Sequence, residues 1–416
     1  MSQPRIAVIG GGIAGTMCSL VLKNRGLHPV LIDQGTRGLG GRLRGGAQFI
    51  RASDPRLAQV TAMLEQQGLL KRWQGRFGVL GSSDGGFLPA EIVTQQGGQQ
   101  ASTASDNPGS SSRATASDGG DFCNFVEGSL TPTYVGVPSM ADLCPEICRL
   151  ADIESVSNTQ VVGAAPVPEG GWKLDTSGSD DIGGDTFDAM VVATHDPSLA
   201  GGMVRRIVDA EVAAGGSTKG TEDDQSAALV IRKLTDLSDS LQALRDHGRL
   251  PVYTLFATYP AGFSDKIPFD AASVPGSHHI QFISRHASGH SDISGDTWHA
   301  VTTSMLAAEL LSSPQLTDDE KRSSISGVAS EEVSRLLLPF HGEPGLLPLD
   351  VSVKRWGSAF SSRGLNLKED SVTLAPWRLA ICGDFVRDMS EHATPIEAAA
   401  LSGLEAGERT ASLFSS

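Results

Sequence analysis

The sequence is poor in aromatic residues: Phe, Trp and Tyr make up 5% of its 416 positions, with three Tyr among them. A site that must enclose a cationic amine between aromatic faces has little to draw on. Cysteine is scarce as well. Cys18, Cys123, Cys144, Cys148 and Cys382 are odd in number and loosely spaced, which argues against a secreted disulfide framework. Cys144 and Cys148 lie one turn apart on an expected helix, and no second Cys/His pair accompanies them at zinc spacing. They are expected to be half-buried thiols, and no metal site is expected. Long apolar runs are missing, so no segment reaches membrane-spanning length. With Met1 taken as the start, the first strand begins at Ile6 and leaves no room for a targeting peptide, which points to a cytoplasmic protein. Dense Lys/Arg blocks are missing too, and the formal net charge is −15. Nucleic acid and anionic membrane are therefore disfavoured as partners. A monomer or weak homodimer is expected.

What is present suits a two-lobed soluble enzyme. The hydrophobic fraction is 39%, and there are 48 glycines. Residues 5–9 form a short apolar run ending in Gly, as a buried parallel strand does. Helix formers follow over 13–25, and a second apolar run from Pro29 to Ile32 ends at Asp33, completing a β-α-β unit. Asp54 and Pro55 open a helix that stops at Gly68. Strand-like runs at Val252–Thr258, His279–Ser284 and Val351–Trp356 suggest an antiparallel sheet in a second lobe. Residues 298–311 read as helical, Leu379–Gly383 as a buried strand, and Thr394-Pro395 as the start of a helix reaching about Leu413. The stretch 94–120 has no Leu, Ile, Val or Phe and reads as a disordered insertion, with a shorter one at 215–227. The expected fold is α/β. Residues 1–70, 130–198 and 340–416 would form a Rossmann-type nucleotide-binding domain, and 71–129 and 199–339 a substrate domain on a mainly antiparallel sheet.

Gly10, Gly12 and Gly15 form a G-x-G-x-x-G in its required place, after a strand and opening a helix. Gly10 permits the tight turn, Gly12 lets a pyrophosphate approach the backbone, and Gly15 lets the helix pack closely. Ile13 and Ala14 lie in the first turn, where amides and the dipole favour phosphate. Asp33, followed by Gln34, stands where a carboxylate accepts ribose hydroxyls. Two further features favour FAD over NAD. Gly40-Gly41-Arg42 follows the ribose acid closely and adds amides and a guanidinium at the pyrophosphate. Gly383-Asp384, after a strand and before a helix, would hold a ribityl chain.

These motifs resemble the FAD-dependent amine oxidase superfamily. Cys123-Asn124-Phe125-Val126, Tyr134-Val135-Gly136-Val137-Pro138-Ser139-Met140, Lys354-Arg355-Trp356, Ile381-Cys382-Gly383-Asp384-Phe385 and Leu401-Ser402-Gly403 look like the renalase branch. The resemblance implies a two-domain fold like that of p-hydroxybenzoate hydroxylase. It also implies an activity: oxidation of isomeric dihydropyridine forms of NAD(P)H by hydride transfer to flavin N5, with O2 as acceptor and hydrogen peroxide as product. Carried over by match, Gly10, Gly12, Gly15, Asp33, Gly41 and Arg42 would hold the ADP half. Gly46, Ala47 and Gln48 would pass beside the isoalloxazine, and Val162 would lie near adenine. Gly383, Asp384, Ile396 and Glu397 would hold the ribityl and pyrimidine portion. Two departures stand out. Only Leu43, Arg44 and Gly45 separate Gly-Gly-Arg from Gly-Ala-Gln, where family members have more, and Ala398-Ala399-Ala400 replaces the family's Gly-Ala-Trp.

No catalytic dyad stands out, and hydride transfer from a dihydropyridine needs none. Arg355, Trp356 and Tyr134 are the candidate catalytic residues. Arg355 would steer an anionic substrate and Trp356 would stack on a pyridine ring, or both would be structural; Tyr134 is more simply a packing residue. His278, His279, His286, His290 and His299 crowd together, but they fit no metal spacing and read as surface or satisfied histidines. Two other readings stay open: another FAD enzyme of the superfamily acting on an amine-like donor or an alkene, and a flavin-binding protein without turnover.

Overall fold

The computed structural model describes residues 3–81, 86–90, 131–167, 170–178, 182, 184–215, 222–286, 296–387 and 394–415. The polar stretch at 94–120, Cys123 and His290 lie outside them.

The core of the first unit is a six-stranded sheet in the order Val372–Leu374, Leu379–Ile381, Ala189–Val192, Arg5–Ile9, His28–Ile32, Glu154–Val156. All neighbours run parallel except the edge strand Val372–Leu374. Ile6, Val8, Val30, Leu31, Val191 and Ile381 are inaccessible to solvent. Such unbroken apolar runs are what a sheet covered on both faces demands. One face carries the helices Ile13–Asn24 and Pro395–Ser412, packed through Met17, Cys18, Leu401 and Ala406. Here Cys144 and Cys148, on the helix Leu143–Leu150, are fully rather than half buried, and burial pushes both thiols up to about 12.

The other face is covered by a three-stranded meander and by the helices Pro197–Gly215 and Glu222–His247. Met203, Val204, Ile207, Leu241 and Leu244 bury against Ile9, Val30 and Val192. This corrects two expectations. The helices Pro197–Gly215 and Glu222–His247 pack on the parallel sheet and not in a separate substrate domain, because their apolar stripes complete the cover of that sheet face beside the meander. Residues 222–227, read as part of a disordered patch, open the second of these helices.

The second unit is a seven-stranded sheet in the order Asp350–Ser361, Arg249–Tyr259, Asp296–Thr302, Ile280–Arg285, Ala271–Ser273, Phe77–Leu80, Phe87–Pro89. Its pairs are antiparallel except Ala271–Ser273 with Phe77–Leu80. The strand Asp350–Ser361 thus belongs here, although the sequence placed 340–416 in the nucleotide-binding domain. Residues 298–302 are strand and not helix: Trp298, Ala300 and their neighbours pair on both sides, and Thr303 then caps the helix Ser304–Leu311 by accepting from the Leu306 amide. The helix Asp318–His341 packs on one face of the sheet through Ile325, Val333 and Leu336. The opposite face turns toward the first unit. Among the described residues no helix is long and apolar enough to cross a membrane.

Candidate active site

A cavity of about 940 Å³ runs from the parallel sheet to the inner face of the seven-stranded sheet. That is near the upper end of the ~300–1,000 Å³ typical of ligand pockets, so the occupant is large. Gly10, Gly12, Ile13, Ala14, Asp33, Gln34, Gly41, Arg42, Gly46, Ala47, Gln48, Val162, Gly383, Asp384, Ile396, Arg355 and Trp356 all line it.

The glycine turn shows why these residue types are needed. Gly10 has φ +114°, and a Cβ there would sit 2.6 Å from the Ala193 carbonyl oxygen. A Cβ on Gly12 would meet nothing within 4 Å, so the open space beside its backbone is the cradle itself. No side chain caps the following helix, and its first turn carries no acidic residue. Its first amides are therefore left for an anion from outside the protein. Gly15 does not line the cavity. A Cβ there would lie 2.0 Å from the Gly10 carbonyl oxygen, so it serves the close packing of turn on helix. Asp33 accepts from the Gly11 and Gly35 amides, each at 2.7 Å, and each carboxylate oxygen keeps a second acceptor site. This donor and acceptor set fits a dinucleotide.

At the far end, Asp384 is 1% exposed and lies between two guanidiniums. Arg42 Nη1 is 3.0 Å from Oδ2, and Arg249 Nη1 is 3.1 Å from Oδ1. Burial pushes the carboxyl up, but Arg249 and then Arg42 outweigh it and hold it well below the ordinary carboxylate range. Burial also pulls Arg249 below its usual value. His195, at the carboxyl end of the strand Ala189–Val192, lines the cavity and is lowered by burial, then by Arg42 and Arg249. Sequence reading missed Arg249 and His195. Arg249 carries no local signal, whereas His195 follows a buried strand directly, where ligands gather in parallel sheets.

The loop 45–48 is pinned to the second sheet. Thr254 Oγ1 donates to the Gly45 carbonyl at 2.8 Å and accepts from Trp356 Nε1 at 3.1 Å. Gln48 Oε1 lies 3.0 Å from His286 Nδ1. A Cβ on Gly46 would lie 2.5 Å from the Arg42 carbonyl and 3.2 Å from the Trp356 ring, so this wall closes only around glycine.

Three expected site residues take other roles. Tyr134 is 3% exposed, lies outside the cavity wall and packs in the core of the first unit. Glu397 is also outside the wall; its carboxylate accepts from the Ser53 amide at 2.5 Å, the Ser53 hydroxyl at 2.7 Å and the Asp54 amide at 2.9 Å. It thus ties the terminal helix to the helix Pro55–Gln66. Arg355 is in the wall, but its guanidinium is 3.2 Å from Asp318 at the start of the helix Asp318–His341. Strand alternation gives the cation beside Trp356 to Lys354 instead, whose Nζ sits 4.2 Å from that ring and donates to the Arg44 carbonyl. Burial, then Arg37 and Arg44, lower Lys354 from its ordinary value. Of the histidines, His278 is exposed, His286 partly buried, and His299 fully buried in the cavity wall. No metal-binding group of side chains occurs among the described residues.

No family model and no curated protein matches the chain. Solved structures do. The chain is similar to putrescine oxidase bound to putrescine, with 12% identity, TM-score 0.57, and 98% and 99% of the two chains covered. It is similar to cyclohexylamine oxidase from Brevibacterium oxydans, with 12% identity, TM-score 0.58 and 99% of each chain covered. An oxidoreductase from Methanosarcina mazei matches with 11% identity, TM-score 0.56, and 97% and 100% covered. The chain has the α/β fold of these solved structures.

Proposed function

We propose that the protein is an FAD-dependent oxidoreductase that oxidises a dihydronicotinamide-type donor. The observation carrying this reading is the single cavity that joins the glycine turn, Asp33 and Asp384 to the inner face of the second sheet. Ile13 and Ala14 would hold the pyrophosphate through their amides, Asp33 the ribose, and Asp384 the ribityl chain. FAD held there supplies a hydride acceptor whose electrons can pass on to O2. The protein supplies position and a dry wall.

The choice of donor rests on that wall. Among the described residues, the second sheet contributes Val252, Thr254, Phe282, His299, Val301, Arg355 and Trp356 to it, none of them a carboxylate. An alkylammonium entering here would lose its hydration and find no counter-charge among these residues. A neutral dihydropyridine ring suits it better, with Trp356 as the stacking surface. Lys354, with Arg37 and Arg44 near it, gives a cationic cluster beside Trp356 in an otherwise acidic chain, and a pyrophosphate-bearing donor suits that cluster. Renalase-type oxidation of isomeric NAD(P)H is the reading these features favour, ahead of amine oxidation.

Stopped-flow mixing of the FAD-loaded protein with 2- and 6-dihydroNAD(P), and with putrescine and cyclohexylamine, tests it. Rapid flavin bleaching by the dihydropyridines is expected. Bleaching by the amines alone would place the protein with its structural neighbours in substrate as well as fold, and no bleaching by any donor would remove the enzymatic reading. Lys354→Ala is expected to raise the half-saturating concentration of the phosphate-bearing donors about tenfold, as loss of one charged contact does. The limiting rate should hold, and the difference should shrink as salt is added. An unchanged half-saturation at low salt would show that the cluster plays no part in binding.

A further inference from the structure

Most polar side chains facing the cavity have partners: Asp33 with Gly11 and Gly35, Thr254 with Gly45 and Trp356, and Gln48 with His286. His299 has none. Its side chain is fully buried, and neither ring nitrogen finds a hydrogen-bond partner among the described residues. It nevertheless lies in the cavity wall. Its cross-strand neighbours are Phe256 and Ser284, and the adjacent row on the same sheet face is Thr254, Val301 and Phe282, all wall residues. Trp298 and Ala300, on either side of it in sequence, point the other way into the core beneath the helix Asp318–His341. The Ser284 hydroxyl next to it is also buried and has no hydrogen-bond partner among the described residues.

The setting is apolar. Phe256 and Phe282 stand 4.9 and 6.4 Å from the imidazole, centroid to centroid. Burial, then the nearby His286, bring His299 down to about 3, so the ring is neutral at physiological pH. A neutral imidazole has one donor and one acceptor. Leaving such groups unmet forfeits their hydration with nothing in return. A charged ligand group would be stripped of water between two phenyl rings, and an apolar one would leave the nitrogens unmet. An uncharged hydrogen-bonding group satisfies both conditions.

We propose that His299, with Ser284 beside it, is a specificity-determining residue that receives an uncharged amide of the substrate, namely the carboxamide of a nicotinamide-type ring. The choice of ring rests on the donor reading above; the choice of an uncharged amide rests on the wall itself.

The test titrates the FAD-loaded protein with nicotinamide and with 3-methylpyridine, the same ring without the amide, followed by the flavin difference spectrum. Nicotinamide should bind about tenfold more tightly, His299→Phe should erase the preference, and His299→Gln should retain most of it. Because the His299 nitrogens have no partner among the described residues, His299→Phe should leave the melting temperature of the unliganded holoprotein unchanged or raise it. Ser284→Ala is a second, milder variant expected to reduce the preference a few-fold. Equal affinity of the two rings for the unsubstituted protein overturns the proposal, and that comparison needs no variant to fold. A preference surviving in His299→Phe overturns it too, and a lowered melting temperature alongside would mark the residue as structural. Donor oxidation is read separately. A nicotinamide preference without flavin reduction by dihydronicotinamides keeps the His299 subsite and removes the donor reading; reduction without the preference does the reverse.

Discussion

Asp384→Ala is expected to produce the largest loss of stability of any single substitution at the site, about 3–5 kcal/mol, because it strands a buried charge. Arg249 is 4% exposed at its side chain and loses the carboxylate 3.1 Å away, while Arg42 loses the one at 3.0 Å. Denaturant unfolding of the apoprotein measures this directly, and FAD affinity should fall in parallel because the ribityl acceptor is gone. Asp384→Asn keeps the shape but not the charge, and it separates the two effects by pH. The Asp384 carboxyl is depressed in the folded state. Its contribution is therefore fully present above the unfolded pKa of ~3.9 and is lost as pH falls through the lower folded value. The stability gap between wild type and Asp384→Asn should be flat above about pH 5 and narrow only in strong acid. A gap that instead closes between pH 6 and 8 would mean that the carboxylate is not held by the two guanidiniums.

The second large effect is expected from a pair of glycines with opposite surroundings. A Cβ on Gly403 would lie 2.1 Å from the Ala14 carbonyl oxygen, where the terminal helix crosses the first helix. Neither backbone can yield locally, so Gly403→Val should cost about 3 kcal/mol, the upper end of overpacking effects. It should also weaken FAD binding, since Ala14 lies in the cavity wall. Gly12→Ala is the counterpart. The new methyl meets no protein atom within 4 Å, and the backbone there, with φ −79°, accepts alanine. Thermal unfolding of the apoprotein should be unchanged, while FAD affinity, read by quenching of flavin fluorescence, should drop at least about tenfold, or ~1.4 kcal/mol. Undiminished FAD affinity in Gly12→Ala would show that the pyrophosphate does not pass this turn.

The sequence by itself determined the local devices. The glycine turn, Asp33 at the end of the second strand, the capped helix at Pro55 and the Thr394-Pro395 start are set by neighbouring residues, through φ angles, caps and unbroken apolar runs. Such signals are complete within one β-α-β unit, so they can be read without a fold. The antiparallel nature of the second sheet was legible for the same reason, from its short aromatic and β-branched runs. Only the tertiary structure decided which side chains meet. Strand alternation along Asp350–Ser361 turns Arg355 toward Asp318 and leaves Lys354 beside Trp356. Burial of the sheet face claims the helices between 197 and 247 for the first unit. The partners of Asp384, the anchoring of Glu397 and the burial of His299 all depend on chain segments far apart in sequence. Their energies come from desolvation and pairing in the packed interior, which no local pattern of residues encodes.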